Sequence, residues 1–314
     1  MAKQITSTIL MIRPVQFRFN EQTAVNNYYQ RILEGVSPEK IQSNAQKEFD
    51  DFVKILREHG VNVIVVDDTP QPDTPDSIFP NNWVSFHEDG RVGLYPMYAE
   101  NRRLERRPDI LKKLEHDHHF SIAEIVDFTD HESGDKFLEG TGSMILDREN
   151  KLVYAAVSLR TDVDVLNEFC KKFDYKPVIF TANQTVNGER LPIYHTNVMM
   201  CVADSFAILC ADSIDDEQEK SAVINALEES GKEVIFISEE QKERFAGNML
   251  QVQAKDGRKY LVMSAAAYNS LEEDQIAAIN KYCPIIYSSL NTIEALGGGS
   301  ARCMMAEVFL PENV

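Results

Sequence analysis

The run EKIQSNAQKEFDDFVKILREHGVNVIVV, Glu39–Val66, decides the fold class. Ile41, Ala45, Phe49, Phe52 and Leu56 recur at helical spacing on one face, so the first part reads as an amphipathic helix ending at Glu58. His59-Gly60 stops it, and Val61–Val66 is a short β-branched strand. An irregular polar connection, Asp67–Asn81, leads to a second apolar run, Trp83–Phe86. Helix, strand, polar connection and second strand form one unit. Outward from it, the same order returns four times. Ser121–Val126 leads through Glu139 to Ser143–Leu146, and Lys176–Phe180 through His195 to Val198–Val202. Glu233–Ile237 leads through Asn248 to Met249–Val252, and Pro284–Tyr287 through Gly297–Gly299 to Cys303–Val308. Helices are expected over Arg103–Glu115, Asp162–Lys172, Glu217–Glu229 and Leu271–Lys281. One unit cannot bury its own apolar face, whereas neighbours in a ring can. The reading is an α/β chain whose five units close with pseudo-fivefold symmetry. The competing reading is an open α/β sheet, which also alternates helix and strand.

Composition narrows the function. The chain has 314 residues, 43% of them apolar, enough for a real core. No Pro/Gly/Ser-rich linker divides it, so residues 1–314 are read as a single domain. Fifty acidic against 32 basic residues give a net charge of −18. Such a surface repels phosphate backbones and anionic membranes, and no basic stripe interrupts it. No apolar run is long enough to span a bilayer, and Ile9–Ile12 is too short for a secretory signal, so a cytoplasmic location is expected. The five cysteines form no CxxC pair, and in a reducing compartment each is a packed hydrophobe or a reactive thiol.

In a ring, equivalent residues of each unit point at one axis. The residues just before the second strands are Asn82, Glu139, His195, Asn248 and Cys303. Three of them are a carboxylate, an imidazole and a thiol, the groups of a Cys-His-acid nucleophilic site. A thiol needs a lowered pKa or an adjacent base to attack at neutral pH, and His195 is a candidate for that base. Glu139 either orients the imidazole or binds substrate. Taken singly, each has an ordinary reading: a packed cysteine, a capping histidine, a turn glutamate. Gly297-Gly298-Gly299 before the thiol suits close backbone approach or gating, and equally a plain flexible loop. His116, His118 and His119 match no zinc pattern and read as a solvated helix end, so no metal is expected. Gly140-Thr141-Gly142 lacks the rest of a P-loop, and no GxSxG elbow is present.

Leu138-Glu139-Gly140, Tyr194-His195-Thr196-Asn197 and Gly299-Ser300-Ala301-Arg302-Cys303 resemble the guanidine-modifying superfamily, the penteins. That group includes arginine deiminases, dimethylarginine dimethylaminohydrolases and amidinotransferases. The resemblance runs from Ile12-Arg13-Pro14 to the C-terminal cysteine segment and lies closest to the bacterial citrulline-utilisation hydrolases. It implies a five-bladed α/β propeller and no organic cofactor. It places the nucleophile on Cys303, the general acid and base on His195, and a grip on a substrate nitrogen on Glu139. Phe79 and Asn82 then line the guanidino pocket, and Arg103 or Arg102, together with Arg160, binds the substrate carboxylate, for which a bidentate guanidinium is suited. Asp76 is a candidate for the α-amine, and equally a turn residue.

Two departures bear on the substrate. Arginine deiminases carry aspartates where this chain has Asn82 and Asn197. A buried carboxylate facing a neutral group is desolvated without a partner charge, whereas an amide offers donor and acceptor together. A ureido substrate, citrulline first, is therefore expected, with hydrolysis to ornithine, ammonia and carbon dioxide. The alternatives are an arginine deiminase or dimethylarginine dimethylaminohydrolase, an amidinotransferase, and a non-catalytic binding propeller. The partner is a small amino-acid substrate, with a homo-oligomer left open. Asp127–Phe137 and Thr185–Pro192 are lid candidates on length.

Overall fold

Six residues of an apolar strand at the start of the chain, Thr8–Arg13 (β1), find their partner across a helix. The helix Pro38–Glu58 is capped by the Ser37 side chain, carries Pro at its first position, and buries Ala45, Phe49, Phe52, Val53 and Leu56. It returns the chain to β2 (Asn62–Asp67), which lies parallel to β1 with Ile9 opposite Val63. The computed structural model describes residues 3–313.

This arrangement is repeated. β3 (Val84–Phe86), β4 (Arg91–Leu94) and β5 (Glu124–Asp127) form a second sheet, and β6 (Ile145–Asp147), β7 (Leu152–Ala156) and β8 (Lys176–Phe180) a third. A hairpin, β9 (Asn183–Val186) with β10 (Glu189–Pro192), intervenes. Then come β11 (Met200–Val202), β12 (Phe206–Leu209) and β13 (Glu233–Phe236), and β14 (Leu250–Gln253), β15 (Lys259–Ser264) and β16 (Ile285–Ser288). In each, two strands form an antiparallel hairpin, and a helical crossover adds the third strand in parallel. The first sheet draws its antiparallel strand from the far end of the chain: β17 (Ala306–Glu307) pairs with β1, Leu10 facing Ala306.

The structure corrects the phase of the sequence repeat. The two strands read as one unit lie in neighbouring sheets, and the polar connection between them crosses from one sheet to the next. The middle strands were not recognised. β7, β12 and β15 are short and buried almost throughout, so they lack the alternation that marks a half-exposed strand. The helix expected over Arg103–Glu115 is two pieces, Glu100–Arg103 and Pro108–His116, divided where Pro108 cannot continue a helix. Cys303 sits in a turn, and its strand begins only at Ala306.

Four apolar clusters fill the spaces between sheets and helices. The Pro38–Glu58 helix packs Phe49 and Phe52 into the cluster that also holds Phe79 and Cys303, which ties helix packing to the position of the thiol. No helix among the described residues is long and apolar enough to cross a membrane. Phe49→Ala leaves a cavity in that cluster, with an expected loss of about 3–5 kcal/mol of unfolding free energy in urea melts.

Candidate active site

The five equivalent residues share one kind of place. Asn82 ends the 3₁₀ turn Pro80–Asn82 before β3, and Glu139 caps the turn Gly140–Ser143 before β6. His195 caps the turn Thr196–Val198 before β11, Asn248 precedes β14, and Cys303 precedes β17. Hydrogen bonds join these turns in series. Asn81 Nδ2 donates to Thr141 Oγ1 (3.2 Å), Thr196 Oγ1 to the Ser143 carbonyl (2.6 Å), and Asn248 Nδ2 to the Asn197 carbonyl (2.9 Å). The Arg302 N–H then donates to Asn248 Oδ1 (3.0 Å). Gly140 has φ +46°, and a Cβ there would stand 2.3 Å from the Asn81 carbonyl oxygen, so this turn requires glycine.

Cys303 and His195 line one cavity with Phe79, Asn82, Asp76, Arg102 and Arg160. His195 Nε2 is 2.7 Å from Glu139 Oε2, and Glu139 Oε1 accepts the Tyr98 N–H at 2.9 Å. Arg160 Nη1 stands 3.4 Å from Glu139 Oε2. Glu139 is thus in direct contact with the imidazole. Burial pushes the Glu139 pKa up, but Arg160, His195 and Arg102 outweigh it and hold the carboxylate ionised, below its usual range. Burial lowers the His195 pKa to about 4 against the opposing pull of Glu139, so the imidazole is neutral at pH 7. With Nε2 on Glu139, Nδ1 is the ring nitrogen outside that contact.

Two carboxamides hold the thiol. Asn248 Nδ2 lies 3.2 Å and Asn197 Nδ2 3.4 Å from Cys303 Sγ. The orientation of Asn248 is fixed by the Arg302 N–H on its oxygen, which leaves its NH₂ for the sulfur. The Asn197 oxygen is buried without a partner. Asn248 stood among the five equivalent residues in the sequence, yet no role followed for it. The signal was its register with the other four. The remaining cysteines are free and buried, and burial pushes Cys170 and Cys201 up to about 12.

The arginines divide. Arg102 is buried and saturated: Nε and Nη2 bind Glu105 (2.8 and 2.9 Å), and Nη1 donates to Asn82 Oδ1 (2.8 Å). Arg103 lies elsewhere, donating to the Met97 and Tyr98 carbonyls at 3.0 and 3.4 Å beside Glu132, and it does not line the cavity. Arg160 does line it. Its Nη2 reaches the Thr23 carbonyl (2.9 Å) and its Nε the Asn26 oxygen (2.9 Å). Asp76 Oδ2 accepts from Asn20 Nδ2 (2.7 Å) and Thr23 Oγ1 (3.2 Å), while Oδ1 is buried and unpartnered. The segment Asn20–Asn27 therefore caps both groups, and the cavity left, about 10 Å³, has room for one water. This is the segment over the site. The lid candidates Asp127–Phe137 and Thr185–Pro192 contribute no lining residue.

Known proteins can now be set beside this geometry. Residues 13–310 match the family described as N,N dimethylarginine dimethylhydrolase, eukaryotic. No curated protein matches the chain by sequence. Among solved structures, the apo arginine dihydrolase ArgZ of cyanobacteria superposes with a TM-score of 0.74 at 18% identity, covering 98% of this chain and 41% of that one. The chain thus spans well under half of that longer protein. The substrate-bound N-terminal domain of ArgZ alone gives a TM-score of 0.72 at 18% identity, over 96% of this chain and 97% of that domain. A dimethylarginine dimethylaminohydrolase in adduct with S-methyl-L-thiocitrulline gives 0.64 at 12% identity, over 98% and 100%.

Two outcomes test the site. Asn248→Ala should slow alkylation of Cys303 by iodoacetamide about tenfold or more, since it removes one hydrogen bond to the sulfur. Because the folded pKa of His195 lies below the unfolded value of 6.5, the unfolded state binds the extra proton, so stability should fall as pH drops from about 6.5 toward about 4. His195→Gln should flatten that slope in thermal melts across the same window.

Proposed function

Because the chain belongs to the N,N-dimethylarginine dimethylhydrolase family of pentein guanidino-modifying enzymes, we propose that it is a cysteine-dependent hydrolase of a ureido or guanidino amino acid, with citrulline as the preferred substrate. In this reading the five sheets are the blades of a closed α/β propeller, and the turns before β3, β6, β11, β14 and β17 meet at its axis. The observation that carries the chemistry is a thiol and a neutral imidazole in one cavity, the imidazole backed by an ionised Glu139 at 2.7 Å.

The amino-acid end of the substrate displaces the segment Asn20–Asn27. Its carboxylate takes Arg160 from the Thr23 carbonyl and the Asn26 oxygen, and its ammonium takes the unpartnered oxygen of Asp76. The cap thus already presents polar groups like the substrate's, which keeps Arg160 and one oxygen of Asp76 hydrogen-bonded while no substrate is bound.

At the other end, Cys303 passes its proton to His195 Nδ1, and the thiolate attacks the ureido carbon. The Asn248 N–H beside the sulfur stabilises charge as it moves onto the ureido oxygen, the other being held by the Asn197 carbonyl. His195 returns the proton to the leaving nitrogen, and ammonia departs. Water, deprotonated by the same imidazole, attacks the thiocarbamate carbon; the C–S bond breaks, the thiol regains its proton, and the released ornithine carbamate loses carbon dioxide as its nitrogen takes up the carboxyl proton. Overall, one citrulline and one water become ornithine, ammonia and carbon dioxide. Asn82 and Asn197 favour the neutral group. Asn82 spends its oxygen on Arg102, and the free oxygen of Asn197 accepts an N–H of the ureido nitrogen.

A guanidino substrate is the second reading. Ionised Glu139 and the family model for dimethylarginine hydrolysis favour it. Ammonia or methylamine release from citrulline, arginine and dimethylarginine, with the amino-acid products separated, decides between the two. Ornithine from citrulline alone supports the ureido reading, and citrulline from either guanidine overturns it. Cys303→Ala should abolish turnover and leave the melting temperature within a few degrees of the parent.

A further inference from the structure

A second polar cavity lies at the other ends of the strands. β3 and β6 run away from Asn82 and Glu139, and the hairpins that follow them, with the end of the helix Val163–Phe173, enclose about 150 Å³. Its lining includes Arg91, Arg148 and Lys151, in a chain of net charge −18.

Arg148 and Lys151 are poorly matched by carboxylates, whereas Arg91 is paired with Asp89. Arg148 is 5% exposed, yet its contacts are long: Nη1 to the Phe86 carbonyl at 3.4 Å and Nη2 to Glu307 at 3.8 Å. Glu307 is itself held by Arg302 at 2.9 Å. The Arg148 guanidinium otherwise rests 4.0 Å over the Phe309 ring. A buried guanidinium without a close carboxylate carries a desolvation cost that a bound anion would offset. Lys151 has no carboxylate ion pair among the described residues, and its Nζ stands 4.7 Å over the Tyr175 ring. Other lysines nearby have carboxylate partners, Lys232 drawing its own from the hairpin that carries Lys151. Lys259 pairs with Asp204, and Lys232 reaches Asp147 at 3.7 Å and Glu149 at 3.9 Å. Of the acids of this cavity, Asp89 is paired with Arg91 at 2.8 Å, and the exposed Glu88 accepts the Lys3 backbone N–H at 2.9 Å. His87, between them, is held neutral by burial and by the charges of Arg148, Lys151 and Arg91.

We propose that this cavity binds a small oxyanion of the phosphate class, free phosphate or a phosphate monoester, with Arg148 and Lys151 as its ligands. The planar guanidinium of Arg148 takes two oxygens, and Lys151 supplies a point charge at the mouth. The site lies on the opposite end of the sheets from Cys303 and is independent of the substrate assigned above.

The test uses the full chain, thermal melting and calorimetric titration with inorganic phosphate, with glycerol phosphate, and with chloride at matched ionic strength. Lys151 has φ +55°, a conformation asparagine tolerates, so Lys151→Asn removes the charge and keeps the turn. The expected result is a saturable, single-site isotherm for phosphate, weakened about tenfold or more by Lys151→Asn. Iodoacetamide alkylation of Cys303 should proceed at the same rate in both proteins. Tighter binding of glycerol phosphate assigns the site to a monoester, and equal or weaker binding assigns it to free phosphate. No saturation beyond the chloride control, or equal affinity in wild type and Lys151→Asn, overturns the proposal.

Discussion

A series of hydrogen bonds between turns governs this molecule. Asn81 to Thr141, Ser143 to Thr196, Asn197 to Asn248 and Asn248 to Arg302 fasten the turns that precede successive sheets. All these groups are buried, so an unmade bond here would cost the desolvation of donor and acceptor with nothing returned. The turns are therefore locked in one mutual arrangement. Glu139, His195, Asn248 and Cys303 ride on them, and the site inherits their rigidity. Asn248 is the clearest case, since one carboxamide binds the next turn's backbone through its oxygen and the thiol through its nitrogen.

Charge in the site is arranged by pairing rather than by solvent. Arg102 is consumed by Glu105 and Asn82, and Arg160 leans on Glu139 and the capping segment. Glu139 keeps its charge although fully buried because cations surround it, and His195 loses its own because burial outweighs one carboxylate. The same physics makes the two unpartnered oxygens, on Asp76 and Asn197, conspicuous. A folded protein rarely leaves buried acceptors idle, and Asp76 lines the cavity that holds Cys303.

The distal cavity follows the opposite logic. There, cations are gathered with too few acids, in a chain that has acids in excess. The charged ends of Arg91 and Lys151 rest over the rings of Phe173 and Tyr175, each at 4.7 Å.

The sequence by itself determined the α/β class, the fivefold recurrence and the register of Asn82, Glu139, His195, Asn248 and Cys303. Helical spacing and β-branched runs are local signals, and a repeat aligns them without knowledge of contacts. It did not determine which strands share a sheet. Hairpin partners lie a few residues apart, but β17 meets β1 across nearly the whole chain, and only tertiary pairing decides that. The middle strands escaped because burial on both faces erases their periodicity. The choice between Arg102 and Arg103 was equally closed to sequence. Adjacent residues on a short helix point to different sides, and the side taken by Glu105 and Asn82 is set by packing. The capping segment Asn20–Asn27 carries no motif at all, and its hold on Arg160 exists only once the chain has folded back over the site.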